Sequence, residues 1–79
     1  MQTMTPKHPG KITFIDGATT RDEDASTYPD SIRFAEARDG SLVPVVRIVA
    51  YTEEERRIIR EYGADGSLLR STVQTRNRR

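Results

Sequence analysis

The chain contains no cysteine and no tryptophan. Without cysteine, no disulfide and no thiolate-held metal can staple the fold. No run of about 18 apolar residues occurs, so no segment has the composition of a membrane-spanning helix. The opening stretch, Met1-Gln2-Thr3-Met4-Thr5-Pro6-Lys7-His8-Pro9-Gly10, lacks the apolar centre of a secretory signal. Together these absences lead us to expect a cytoplasmic protein with no membrane partner. Large apolar residues are also scarce: Leu, Ile, Val and Phe supply 16 of the 79 residues. That fraction borders on the disordered range, but disorder by composition also needs a high net charge, and here it is +1.

A chain of this length holds one small domain, which buries only about 60% of its unfolded surface. Little room remains for both a scaffold and an enclosed catalytic pocket. The organisation expected is a flexible N-terminal arm over 1–10, a single domain over 11–75 and a basic tail over 76–79. Charge is unevenly placed. Residues 1–40 carry 5 basic and 7 acidic side chains, residues 41–79 carry 8 and 5. Asp22-Glu23-Asp24 forms an acidic cluster, and Arg70, Arg76, Arg78 and Arg79 crowd the C-terminus with no acid among them.

Period-2 alternation is the main structural signal. Lys11–Asp16 (KITFID) alternates and is followed by Asp16-Gly17, a strand running into a turn. Residues 17–30 hold few large apolar groups and read as a long loop. Ser31–Ala37 (SIRFAEA) alternates again, and Asp39-Gly40 after it is a strong hairpin signal because glycine accepts positive φ. Residues 42–51 (LVPVVRIVAY) form the most apolar run and read as a central strand, with Pro44 at an edge or bulge. Thr52 with Glu55 three residues on fits a capping box, three glutamates suit a helix N-terminus, and Ile58, Ile59 and Tyr62 share a helical face. A helix is therefore expected near 53–62, closed by Gly63. A competing reading comes from the echo of Asp39-Gly40-Ser41-Leu42 in Asp65-Gly66-Ser67-Leu68. If both are hairpin turns, 57–62 is a strand and the fold an all-β meander. Residues 67–74 read as a closing strand.

Catalytic and metal-binding patterns are weak. His8 stands alone beside Pro9, with no nucleophile or carboxylate placed by sequence to complete a triad, and reads as a solvated residue. Asp16, Asp22, Glu23 and Asp24 do not follow the spacing of a calcium loop. Gly63 and Gly66 lack the Gly-Lys-Ser/Thr that completes a phosphate loop. No cofactor is expected, and the chain does not read as an enzyme.

The run VRIVAYTEEERRIIREYG, followed by GSLLRSTV, resembles the ribbon-helix-helix repressors in its strand–helix–helix order. That resemblance implies a strand over 45–51, helices over 53–62 and 67–76, and a two-stranded ribbon in the DNA major groove. The groove-facing side chains would then be Arg47, Val49 and Tyr51, or Val46, Ile48 and Ala50. Neither trio is the polar set that reads base edges. The order also leaves 11–40, which alternates as strands, without a place. The tail arginines have no aromatic neighbours in sequence, so a single-strand stacking platform is not expected there.

The reading of the whole is α+β: a small antiparallel meander of about four strands (11–16, 31–37, 42–51, 67–74) joined by Asp-Gly turns, with one helix near 53–62. A strand apolar on both alternating faces over 43–51 calls for burial on both sides, which one short helix cannot supply. The function expected is a small non-catalytic protein–protein interaction module, an inhibitor, adaptor or accessory subunit of the kind common among small phage and plasmid products, binding another protein or a second copy of itself. Val46, Ile48, Ala50 and Tyr51 would make the apolar contact, and Asp22, Glu23 and Asp24 the electrostatic one. The alternative is DNA binding through Arg47, Arg70, Arg76, Arg78 and Arg79.

Overall fold

The structure, a computed structural model, describes residues 7–75. The tail arginines Arg76, Arg78 and Arg79 and most of the expected arm lie outside the described residues. The fold is mostly β, a mixed five-stranded sheet with a two-stranded hairpin laid on one face. In chain order the elements are β1 (Lys11–Asp16), β2 (Thr19–Asp24), a 3-10 turn (Ala25–Thr27), α1 (Asp30–Arg33), β3 (Phe34–Glu36), β4 (Leu42–Pro44), β5 (Arg47–Glu53), β6 (Arg56–Tyr62) and β7 (Leu68–Thr75). The main sheet runs β2-β1-β5-β6-β7, while β3 and β4 pair only with each other.

Several expectations hold. β1 spans the six residues KITFID, as its alternation predicts. Asp39-Gly40 is a hairpin turn, β3–β4, and Asp65-Gly66 is another, β6–β7, as only the competing reading has it; the two are built alike. Gly40 (φ 89) and Gly66 (φ 86) take the left-handed conformation. Asp39 Oδ1 accepts from the Ser41 N–H at 3.0 Å and hydroxyl at 2.7 Å, and Asp65 binds Ser67 at the same two distances. The repeat is thus one local turn chemistry used twice.

Other expectations are corrected. The helix near 53–62 is absent: β5 continues to Glu53, Glu54 and Glu55 turn the chain, and β6 returns antiparallel. Both glutamates have positive φ (52 and 67), as a two-residue hairpin turn requires. A ten-residue helix is marginal alone, whereas β6 gains a full ladder on each side, from β5 and from β7. It also buries Ile58 and half-buries Ile59 on opposite faces. The strand–helix–helix order of a ribbon-helix-helix protein falls with the helix, because Leu68–Thr75 is also strand.

The loop over 17–30 contains β2, whose side chains are almost all exposed, so no apolar alternation marks it. The strand expected at 31–37 begins instead as one helical turn after Pro29, and only Phe34–Glu36 is extended. The single strand at 42–51 is broken. Pro44 ends β4, and the peptide groups of Val45 and Val46 bond outside any continuous ladder. Val45 N–H donates to the Arg33 carbonyl (2.8 Å), and Val46 N–H donates to that of Tyr62 (2.9 Å). β5 then lies parallel to β1, so the sheet is mixed and not an antiparallel meander.

One face of the sheet carries the core. Ile12 and Ile48 point into it and meet Ala25 of the 3-10 turn, Ala35 of β3 and the fully buried Val45, with Phe14, Ile59 and Leu69 alongside. His8 belongs to this layer and is not a solvated residue. Its Nε2 donates to the Val45 carbonyl at 2.7 Å, its Nδ1 accepts from the Gly10 N–H at 3.0 Å, and its ring edge meets Phe34.

Candidate functional site

Alternation and register decide what the opposite face shows. On β5, Ile48 and Ala50 turn inward and are buried, so Arg47, Val49 and Tyr51 turn outward. The pairing carries that face across the sheet in rows. One row is Asp22, Thr13, Arg47, Tyr62 and Leu68; the next is Thr20, Ile15, Val49, Arg60 and Ser71; the third is Tyr51, Ile58 and Val73. The 3-10 turn, α1 and the β3–β4 hairpin supply contacts on the core side. Among the described residues, no element is laid over the outer rows.

This outer face has an apolar centre and two arginine–tyrosine pairs. Ile15, Val49 and Tyr51 are half-buried by their neighbours, Ile58 is 9% exposed, and Val73 is 54% exposed. The Arg47 guanidinium sits 5.5 Å from the Tyr62 ring centre, and that of Arg60 sits 5.8 Å from Tyr51. Each pair joins a cation to the negative face of a ring. Basic and aromatic groups therefore interleave here, which the linear sequence hid. Arg47, Tyr51, Arg60 and Tyr62 meet only when β5 and β6 pair.

The acidic cluster is divided by the pleat. It lies on β2 and not in a loop. Asp22 and Asp24 belong to the outer face, where Asp22 accepts from the Thr13 hydroxyl at 2.8 Å. Glu23 turns to the core side and pairs with Arg21 at 2.6 Å. Asp24 caps the 3-10 turn by accepting from the Ser26 N–H and hydroxyl, which hold its carboxyl below the usual carboxylate range. The outer face thus has a carboxylate margin on β2 and a guanidinium-rich middle on β5 and β6.

The other residues singled out from sequence are placed as follows. Tyr51 is half-buried on the outer face. Ile48 and Ala50 are core residues and cannot make a surface contact, because the break at 45–46 resets the alternation of β5. Val46 is half-buried at that break. Arg70 is on the core side, held by Glu61 at 2.5 Å and by the Ser31 carbonyl at 3.1 Å. It does not join Arg47 on one basic surface. Sequence reasoning singles out Val49 only beside Arg47 and Tyr51 in the ribbon-helix-helix order, and it misses Ile15, Ile58, Arg60, Tyr62 and Val73. The signal for three of them is the period-2 alternation Arg56, Ile58, Arg60, Tyr62, which competes with the helical spacing of Ile58, Ile59 and Tyr62.

The concavities are shallow. One, of about 500 Å³, lies at the open end of the core side between Thr52, Arg57 and Gln74. Among the described residues, no group of His, Cys, Asp or Glu is placed to hold a metal ion. Among the same residues, no helix is long and apolar enough to cross a membrane. Comparison with protein-family models, with curated proteins and with solved structures gave no match.

Proposed function

We propose that the chain is a non-catalytic protein-binding module whose recognition surface is the outer sheet face. The observation that carries this reading is the composition of that face: half-buried Ile15 and Val49 and exposed Val73 around the buried Ile58, flanked by the Arg47–Tyr62 and Arg60–Tyr51 pairs. Tyrosine and arginine are the residues most enriched where proteins bind each other, since both present large, stiff surfaces with a polar tip. The partner fitting this face is a protein surface with an apolar patch and carboxylates aimed at Arg47 and Arg60. The Asp22 and Asp24 margin would fix orientation and repel acidic surfaces on that side.

Single-stranded nucleic acid is the other polymer that uses aromatic and basic side chains on a sheet. Two features favour protein. The ring faces on which bases would stack already carry guanidinium groups, and two carboxylates border the same surface.

The test is to pan the immobilised full chain against a random peptide display library and challenge the selected peptides with variants. Peptides rich in acidic and apolar residues are expected. Their affinity should fall by about tenfold or more in Val49→Asp and in Arg60→Glu, the range of a central contact residue. Circular dichroism confirms that each variant folds. Peptides indifferent to both variants would overturn the reading. So would selective, Arg60-dependent binding of a labelled single-stranded oligonucleotide.

A further inference from the structure

The two edges of the main sheet differ in how they are protected. β2, at one edge, has the sequence TTRDED, four charges in six residues, which discourages another strand from pairing there. β7, at the other edge, is LLRSTVQT, with one charge in eight residues and a Val/Thr/Ser-rich centre. Leu68 and Val73 on it are 52% and 54% exposed. A long, unguarded edge of strand-forming residues is a template for another strand.

The hydrogen-bond parity of this edge follows from its neighbours. The Tyr62 carbonyl accepts from Val46 on the β5 side, so alternation directs the peptide groups of Glu61, Ile59 and Arg57 towards β7. Their partners Arg70, Thr72 and Gln74 are engaged inward. The peptide groups of Ser71, Val73 and Thr75 therefore point out from the edge.

The geometry points to β7 of a second copy as the strand that pairs here, antiparallel, about a two-fold axis through Thr72 and normal to the sheet. In that register Ser71 of each copy lies opposite Val73 of the other, so both outward peptide groups bond. Arg70 lies opposite Gln74, so the only charges on the strand are kept apart; a pairing centred on Arg70 would oppose them directly. The axis leaves both outer faces on the same side of a ten-stranded sheet. The inference does not depend on what the outer face binds. Two edge strands bury a small interface, so association belongs at the weak end, in the micromolar range.

Sedimentation equilibrium of the full chain, from about 10 µM to about 1 mM, should show a monomer–dimer transition in this range. Val73→Pro removes one outward N–H, at a position where an edge strand tolerates proline. It should leave the circular dichroism unchanged and weaken dimerisation at least tenfold. Thr72→Cys puts the new thiols on the axis, where facing Cα atoms come within about 4.5–5.5 Å, and should give a disulfide dimer under mild oxidation. Gln74→Cys, two residues off the axis, should not. A wild-type chain that stays monomeric, a folded Val73→Pro that dimerises as well as wild type, or a Thr72→Cys that fails to crosslink each overturns the proposal. Should Val73→Pro not fold, the cysteine pair decides. Val49→Asp, remote from the edge, should leave dimerisation intact, which separates this result from that of the peptide selection.

Discussion

His8 Nε2 donates a 2.7 Å hydrogen bond to the carbonyl of Val45, joining the start of the described chain to the point where the central β-run breaks. Both ring nitrogens are used, since Nδ1 accepts from Gly10, and the ring packs edge-on to Phe34. His8→Ala would leave the Val45 carbonyl short of a partner and is expected to cost about 1–3 kcal/mol, read as a lowered midpoint in urea denaturation. Nitrogen-15 NMR of the wild-type ring should show the Nε2–H tautomer. A loss below about 0.5 kcal/mol, the range of ordinary surface changes, would mean that this contact does not hold the arm.

Among the described residues, Glu54 and Glu55 are the non-glycine residues at positive φ. Two non-glycine residues at positive φ cost about 1–2 kcal/mol each relative to residues suited to that region. Glu54→Asn with Glu55→Gly installs the preferred pair for this turn. The double variant should be more stable than wild type by about 1 kcal/mol or more. Of the contacts that it removes, the Glu54–Arg56 ion pair is long (3.9 Å) and exposed and offsets little of this, and the side-chain contact that Glu55 makes is at an exposed residue too. A destabilised double variant would argue that the segment is not a two-residue hairpin.

Ile12 and Ile15 share a strand and differ only in face. Ile12 is fully buried in the core, whereas Ile15 is on the outer face and half-buried. Ile12→Ala should cost about 2–4 kcal/mol, a large part of the stability of so small a domain. Ile15→Ala should cost about 1 kcal/mol. Thermal denaturation of the two variants checks the assignment of faces, and equal losses would contradict it.

Three carboxylates tie acid sensitivity to turn chemistry. Backbone N–H and then hydroxyl bonds from Ser26 and Ser67 lower the pKa values of Asp24 and Asp65; for Asp39 the Ser41 hydroxyl contributes most, then its N–H. A carboxyl with a depressed value in the folded state binds fewer protons there than in the unfolded chain. Its stabilisation is present above the ordinary carboxylate range and is lost as pH falls through the lowered values. Urea midpoints should therefore be flat near neutrality and decline below the ordinary carboxylate range. The triple variant Asp24→Asn, Asp39→Asn, Asp65→Asn keeps an acceptor at each turn without the titration, so its decline should be shallower. A decline as steep as that of wild type would place the acid sensitivity elsewhere.

Elements whose signal is local were legible in the sequence. β1 alternates and ends at Asp16-Gly17, and the twin Asp-Gly-Ser turns need only glycine at positive φ and an aspartate two residues before the N–H it accepts from. β2 was not legible, because an edge strand exposed on both sides has no apolar phase to read. For 53–62 two local signals conflicted. Thr52 and Glu55 fit a helix start, while Arg56–Tyr62 alternates as a strand.

The sequence by itself determined a small β-rich domain without cysteine, its first and last strands, and two of its hairpin turns, because these depend on neighbours a few residues apart. Tertiary structure alone decided the parallel pairing of β1 with β5, the break at Val45–Val46 and the fate of 53–62. Each depends on partners far along the chain: Val46 bonds to Tyr62, and β6 is held between two ladders. The same long-range pairing assembled the outer face. Ile15, Val49, Tyr51, Arg60 and Tyr62 come from three strands, and a one-residue slip in any register would send that strand's contribution to the opposite side of the sheet.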